Sequence, residues 1–526
     1  MKQRVPCPSR VLCERAGPFI RPIYDSSRIW TGWPTFTFFG KVGRRHRRRE
    51  RKIRMQAARV PTFARTAKVG QPPLFWMRLP SAISVLILLR KGRDPMTLGK
   101  IRSPLSKAAV SMVILSLTAT GWAESREKVL HAFRGTPAKY PDSSLALDAA
   151  GNLYGTTAES DSTACAGGEG GCGIVFELTP TSTGWSYTEL YAFKGGQDGS
   201  DPSYSLILDT AGNLYGTTVS GGGSQICSVG CGTVFELTPN STGGWTENVL
   251  YRFQGGIDGR NPIGGVVLDG TGNLYGPTEM GGEGCGSVGC GTVFELSPSS
   301  GGGWTEQVLY VFPSYGNSDG FNPEGGVTID ADGNLYGTTN NGGTGCHGAG
   351  CGTVFELSPN STGGWTESVL HRFQGGRDGQ FSSGSVVFDQ SRNLYGTTFR
   401  GGSKAGCGTV FELTPSSGGK WTESILHRFR CGKDGGGPQT GVTLDAAGNL
   451  YGTTQGNGAG GNGTVFKLAP VSGGKWTFSV LHSFTGKRDG ALPQAGLILD
   501  PTGSHLFGTT IYGGADGLGV VFEITP

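Results

Sequence analysis

Six aspartates recur at one place in the chain: Asp198, Asp258, Asp319, Asp378, Asp434 and Asp489, each in a GGxDG turn or a variant of it. Carboxylates presented from equivalent turns are the groups that would hold Ca²⁺, a cationic ligand or a sugar. The competing reading is turn chemistry, because Asp-Gly supplies the backbone geometry of a tight turn. A second series, Asp148, Asp209, Asp269, Asp330, Asp389, Asp445 and Asp500, ends a short apolar run and reads as turn-starting. The glutamate of the phrase GTVFEL (Glu177, Glu236, Glu295, Glu356, Glu412, Glu523) resembles a catalytic set. A residue repeated in nearly every copy is architecture, however, whereas catalysis needs unique groups, and Lys467 breaks the series.

His131, His371, His427 and His482 alternate with Tyr191, Tyr251 and Tyr310 at one strand position, which predicts apolar or edge packing rather than metal ligation. The sequence has no Ser–His–Asp arrangement, no phosphate-cradling loop between a strand and a helix, and no HExxH. No catalytic residue, metal site or cofactor is therefore assigned; Ca²⁺ at the six aspartates is the one ion the pattern suggests. The N-x-S/T triplets at Asn240, Asn360 and Asn462 read as turn composition.

Ten cysteines fall after residue 124. Eight form close pairs ahead of GTVFEL: Cys165/Cys172, Cys227/Cys231, Cys285/Cys290 and Cys346/Cys351. Cys407 and Cys431 lie at the same open end of one predicted hairpin and can be bridged. Paired cysteines in an exported chain mean disulfides. Zinc would need four ligands per site, and these loops offer two thiols with no regular histidine.

The elements that position these residues repeat. GTVFELT and its near copies begin at Gly173, Gly232, Gly291, Gly352, Gly408, Gly463 and Gly519, and LYGTT keeps pace from Leu153 to Leu506. From Trp365, one period reads as the strand WTESVLHRF, the turn GGRDG, the strand GSVVFD, the strand NLYGTT, a cysteine/glycine loop and the strand GTVFELTP. β-branched and aromatic runs between Gly, Asp, Asn and Pro are the signal for short antiparallel strands. Seven four-stranded antiparallel blades in a ring make an all-β, seven-bladed β-propeller. The ends favour a ring over a solenoid: REKVLHAF near Val129 matches the tryptophan strand, and the chain stops after GVVFEITP near Val521. The N-terminal strand then completes the last blade, where a solenoid would leave open edges. The cysteine/glycine loops and GGxDG turns share one face, so the mouth of the central channel on that face is the default site.

The formal charge of +5 hides two opposed regions: +21 over residues 1–123 and −16 over 124–526. The acidic repeats exclude phosphate-backbone binding, so no nucleic-acid partner is expected. Met96 opens a basic, then apolar, then small-residue segment to Ala123, the three-part signature of a secretory signal. Its apolar core is too short to span a bilayer, and no transmembrane segment is predicted. Residues 1–95, with the basic run Arg44–Arg54, read as a disordered extension or as upstream sequence from a misplaced start; the repeat domain is 124–526.

At LYGTT, the glycine-rich loop and GTVFELTP, over Arg126–Pro526, the sequence resembles the glycine-rich GloVer tandem repeats of bacteria, described as "choice-of-anchor" proteins. The resemblance implies export and a propeller-like array, and no reaction. Such proteins are often followed by a C-terminal sorting anchor; here the sequence reaches Pro526 without an apolar tail, so surface attachment does not follow. A looser likeness to quinoprotein propellers, whose tryptophan docks between blades, attaches to Trp185, Trp245, Trp304, Trp365, Trp421 and Trp476. Glu236 and Pro239 replace the alanine and aspartate of that motif, so it implies packing and no quinone.

The sequence thus predicts a periplasmic or extracellular monomer acting as a binding or scaffold module, with a glycan or a protein as ligand. The alternative is a carbohydrate-active enzyme, a lyase or glycosidase, which would need two close carboxylates or a metal at the channel mouth. Unique acids clustered there would favour the enzyme; a channel of small residues would favour the scaffold.

Overall fold

The computed structural model describes residues 125–526 apart from 136–137, 161–164, 166–170, 314–317 and 347. The expected signal segment 96–123 and the extension 1–95 lie outside the described residues. Among these residues the only helical element is one turn of 3₁₀ helix, Gly286–Val288. Among the described residues no helix is long and apolar enough to cross a membrane.

Seven four-stranded antiparallel sheets form the ring. Blade 2 is representative: Ile207–Leu208 innermost, then Leu214–Thr218, Thr233–Pro239 and Trp245–Arg252 outermost. Blade 7 takes Ile498–Leu499, Leu506–Thr510 and Val520–Thr525 from the end of the chain and Arg126–Ala132 from its start. That closure is antiparallel, with Lys128 opposite Glu523 and Val129 opposite Phe522, and Phe133 N–H donates to Gly519 at 3.0 Å. Each blade is offset by one strand from the repeat as read from its tryptophan. The GGxDG segment is not a hairpin; it crosses from the outer strand of one blade to the inner strand of the next.

The inner strand is short because its last residue is already the turn. Asp209 Oδ1 accepts from the backbone N–H of Ala211 and Asn213, both at 2.8 Å, closing an Asx-type turn. Position four of that turn has positive φ, and glycine fills it in six blades. In blade 5 it is Arg392 at φ 64°, whose guanidinium reaches Asp330 at 2.8 Å and Asp332 at 2.9 Å in blade 4.

LYGTT is buried along its whole length because both faces of the sheet meet a neighbouring blade. Its glycine is a matter of space. Gly216 lies opposite Phe235, and a Cβ there would sit 2.7 Å from the ring. The core consequently lies between blades. Tyr215, Val234 and Phe253 of blade 2 and its exit pack with Val266, Leu274, Phe294 and Leu296 of blade 3. The tryptophans do the same: Trp245 stands edge-on to Tyr154 of blade 1, and Trp185 of blade 1 edge-on to Phe507 of blade 7. The packing role implied by the second resemblance is the one seen.

Candidate functional site

Each crossing segment presents a residue of positive φ just before the inner strand: Tyr140, Asp201, Asn261, Asn322, Phe381, Gly437 and Leu492. Six of the seven precede proline, and side chains other than glycine are disfavoured in that backbone region. The conformation is held because the residue bridges two blades. Asp201 N–H donates to Cys172 O of blade 1 at 3.1 Å, and Asp201 O accepts from Val219 N–H of blade 2 at 3.0 Å. The same bridge recurs at Asn261, through Cys231 and Glu279.

The next residues line a central cavity of about 240 Å³ reached by all seven blades. Most of its wall is Gly, Ser, Thr and Gln. Val386, Val442 and Ala495 add apolar surface from blades 5 to 7, and the ionisable groups lie on the other side. Asp142, Ser203, Tyr204 and Glu324 line the cavity, and Asp201 and Glu279 stand close enough to act on them. Burial, and then the carboxylates of Glu324, Asp142, Glu279 and Asp201, push the Tyr204 phenol up. Burial, and then Asp201, push the Asp142 carboxyl well above the usual range. Its Oδ1 is shut from solvent without a hydrogen-bond partner. Burial also raises Asp201, opposed by the hydroxyl of Ser203, which donates to it. Glu324 accepts from Asn340 Nδ2 at 2.7 Å. Beside Asp201 a groove of about 490 Å³ opens between Gly196, Ser200 and the Cys227–Gly230 loop.

The six turn aspartates are not part of this cavity. Four of them, like Asp489, hold their own crossings: Asp198 accepts from Lys194 N–H at 2.7 Å, Asp258 from Gln254 at 2.7 Å, Asp378 from Gln374 at 2.5 Å, Asp434 from Arg430 at 3.1 Å. Asp489 accepts from Thr485 N–H at 2.8 Å, and Asp319 lies 3.8 Å from Arg372. Each also meets the tyrosine or histidine of the preceding strand where the pair is seen: Tyr191 donates to Asp198 at 2.6 Å, and His482 lies 3.2 Å from Asp489. The Tyr/His interchange is therefore more than edge packing. Both rings stack edge-on to a phenylalanine two residues on, and both reach the turn carboxylate with a polar tip.

The outer strand of the next blade adds a glutamate to most of these turns. Burial, and then Asp198, push Glu247 up to about 7; burial and Asp258 do the same to Glu306, Asp319 to Glu367 and Asp489 to Glu127. The glutamates of GTVFEL are structural as well. Tyr215 O–H bridges Asp209 at 3.2 Å and Glu236 at 3.0 Å, and in blade 6, where Lys467 stands, its Nζ lies 5.2 Å over the Tyr451 ring.

All five cysteine pairs are disulfides: Cys165–Cys172, Cys227–Cys231, Cys285–Cys290, Cys346–Cys351 and Cys407–Cys431. One cysteine of each, the second in the four close pairs and Cys407 in the fifth, supplies the carbonyl that holds the next crossing, so the bridges brace the face around the cavity mouth.

The repeat described as the Gloeobacter/Verrucomicrobia repeat matches residues 113–288, 161–403 and 347–526. The chain belongs to this family. Comparison with curated proteins found no match. Among solved structures, a luciferin-regenerating enzyme is 13% identical over 61% of this chain and 90% of its own, with a TM-score of 0.37. A protein of unknown function from Dyadobacter fermentans is 13% identical over 68% of this chain and 98% of its own, with a TM-score of 0.38. Likenesses this low carry no weight for activity.

Sequence reasoning did not find Asp142, Asp201, Glu279 or Glu324. For Asp142 and Glu324 a usable signal was present: the residue after the proline differs from blade to blade (Asp142, Ser203, Ile263, Glu324, Gln439, Gln494) while the frame around it repeats.

Proposed function

We propose that this Gloeobacter/Verrucomicrobia repeat protein is an exported binding module whose ligand enters the channel mouth. The observation that carries this reading is the one-sided set of acids around Tyr204, Asp142 and Glu324 in the wall with Asp201 and Glu279 behind them, where the rest of the wall is uncharged. Such a set suits a small ligand bearing hydroxyl and amino groups, an amino sugar above all: carboxylates accept from both, and Tyr204 offers an aromatic edge. Export accords with five disulfides, which persist in oxidising compartments, and with 96–123 acting as the leader. Calorimetric titration with glucosamine oligomers, with N-acetylated oligomers as the contrast, tests it. Binding of the amine form alone, weakened by Glu324→Gln, is expected. Binding unaffected by that substitution, or no binding, would sink the reading.

A second reading, a glycan-cleaving enzyme, is the one that unique acids clustered at the channel mouth were expected to favour, and it draws on Asp142. A carboxyl whose proton affinity is raised by burial and by a second carboxyl beside it is suited to donate a proton to a leaving group. Release of chromophore from aryl glycosides, lost in Asp142→Asn, would favour it over simple binding.

A further inference from the structure

We propose that His371, Asp378 and Glu423 form a site for one divalent transition-metal ion, Zn²⁺ by preference, which ties blade 4 to blade 5. His371 lies on the outer strand of blade 4, Trp365–Arg372, and Asp378 in the crossing that follows. Glu423 comes from the outer strand of blade 5, Lys420–Arg428. His371 Nε2 stands 3.4 Å from Asp378 Oδ2 and 3.8 Å from Glu423 Oε1. Among the described residues these form the group of three whose ligand atoms all lie within 4.8 Å of one another.

Those separations suit a metal better than hydrogen bonds. Zinc bonds to imidazole nitrogen and carboxylate oxygen are about 2.0–2.2 Å long in a tetrahedron, which places neighbouring ligand atoms about 3.4 Å apart. An N–H···O hydrogen bond is shorter, about 2.7–3.2 Å. Bonding capacity is also unmet. His371 Nε2 and Glu423 Oε1 are shut from solvent without a hydrogen-bond partner, as are His427 Nε2 and the Oε1 atoms of Glu247, Glu306 and Glu367 at other junctions, although buried polar atoms are almost always paired; what sets this junction apart is that three ligand atoms converge on one point. The surroundings are already fixed. Gln374 N–H donates to Asp378 Oδ2 at 2.5 Å, holding the carboxylate, and Phe373 meets the imidazole edge-on at 4.9 Å. The three side chains are 14–20% exposed, so a water can complete the fourth position.

The other blades supply controls. Between blades 2 and 3 a tyrosine replaces the histidine: Tyr251 donates to Asp258 at 3.1 Å. Between blades 5 and 6, His427 and Asp434 are kept, but Phe478 replaces the glutamate and stacks on the imidazole at 3.8 Å. His482, Asp489 and Glu127 repeat the three residue types where the ring closes, outside the 4.8 Å grouping. The cysteines of the propeller are in disulfides and do not compete.

The test uses the purified chain, stripped with EDTA and titrated with ZnCl₂ by calorimetry, with the visible absorption of bound Co²⁺ as a second readout. The parent is expected to bind Zn²⁺ and to melt at a higher temperature with it. Glu423→Gln and His371→Tyr should each weaken that binding at least about tenfold, in line with the loss of a ligand-shell group; His427→Tyr should bind as the parent does. Tyrosine at 371 copies the arrangement of blade 2, so that variant should fold, and either variant reads the site if the other does not. No uptake by the parent, or equal uptake by parent and both variants, overturns the proposal.

Discussion

Glu247 and Glu306 allow the acid pairs between blades to be tested by pH. Each is raised from 4.5 to about 7, first by burial and then by the aspartate of the adjoining turn. A folded pKa above the unfolded one stabilises the fold fully below pH 4.5, and that contribution is lost as pH rises to about 7. The shift corresponds to about 3 kcal/mol per glutamate at most. Both side chains are only partly buried, so screening reduces this to roughly 1 kcal/mol each. The double variant Glu247→Gln, Glu306→Gln keeps the neutral form at all pH values. Its stability relative to the parent should therefore grow by about 2 kcal/mol between pH 4.5 and 7.5 and stay flat beyond. The difference between the two proteins is the proper readout, because His131, lowered by burial to about 4, and His427 and His482, also lowered, gain stability over the same window and oppose the trend in either protein alone. Urea unfolding followed by tryptophan fluorescence at half-unit steps of pH measures it. A difference that stays constant, or that shrinks as pH rises, refutes the reasoning.

Three further outcomes are expected. Gly216→Ala should destabilise by roughly 1–3 kcal/mol, since its new methyl would press on Phe235, whereas Gly243→Ala, where a Cβ meets nothing within 4 Å, should cost only the strain of its positive φ; denaturant melts compare the two. Serine at both Cys407 and Cys431, 24 residues apart, should cost about 3.5 kcal/mol, against about 2 kcal/mol for Cys227 and Cys231, four apart, because the longer loop gains more unfolded entropy. Arg392→Gly removes a positive-φ side chain and two ion pairs at once, so the parent's advantage should be largest near about 0.01 M salt and vanish or reverse near about 1 M, as thermal melts would show.

The period of aliphatic and aromatic runs was enough to fix the blades, their number and the closure of Arg126–Ala132 on Val520–Thr525. Those features follow from local patterning, which dictates which short stretches become strands and which end must find a partner. The disulfide pairs were legible for the same reason: their cysteines are neighbours in sequence or across one hairpin. The turn aspartates drew attention because repetition is conspicuous, yet Asp198 and its kin are occupied with their own turns.

Only the tertiary structure decided which groups meet across blades. Glu423 reaches His371 from 52 positions further along, Arg392 reaches Asp330 from 62, and Asp142 approaches Asp201 from 59. No local pattern encodes such meetings, because they arise where one sheet twists against the next. The sequence determined the ring and its repeating frame through hydrophobic period and turn chemistry. The packing of unlike blades decided where unique side chains gather, since burial and proximity, which set both charge state and ligand geometry, exist only once the ring has closed.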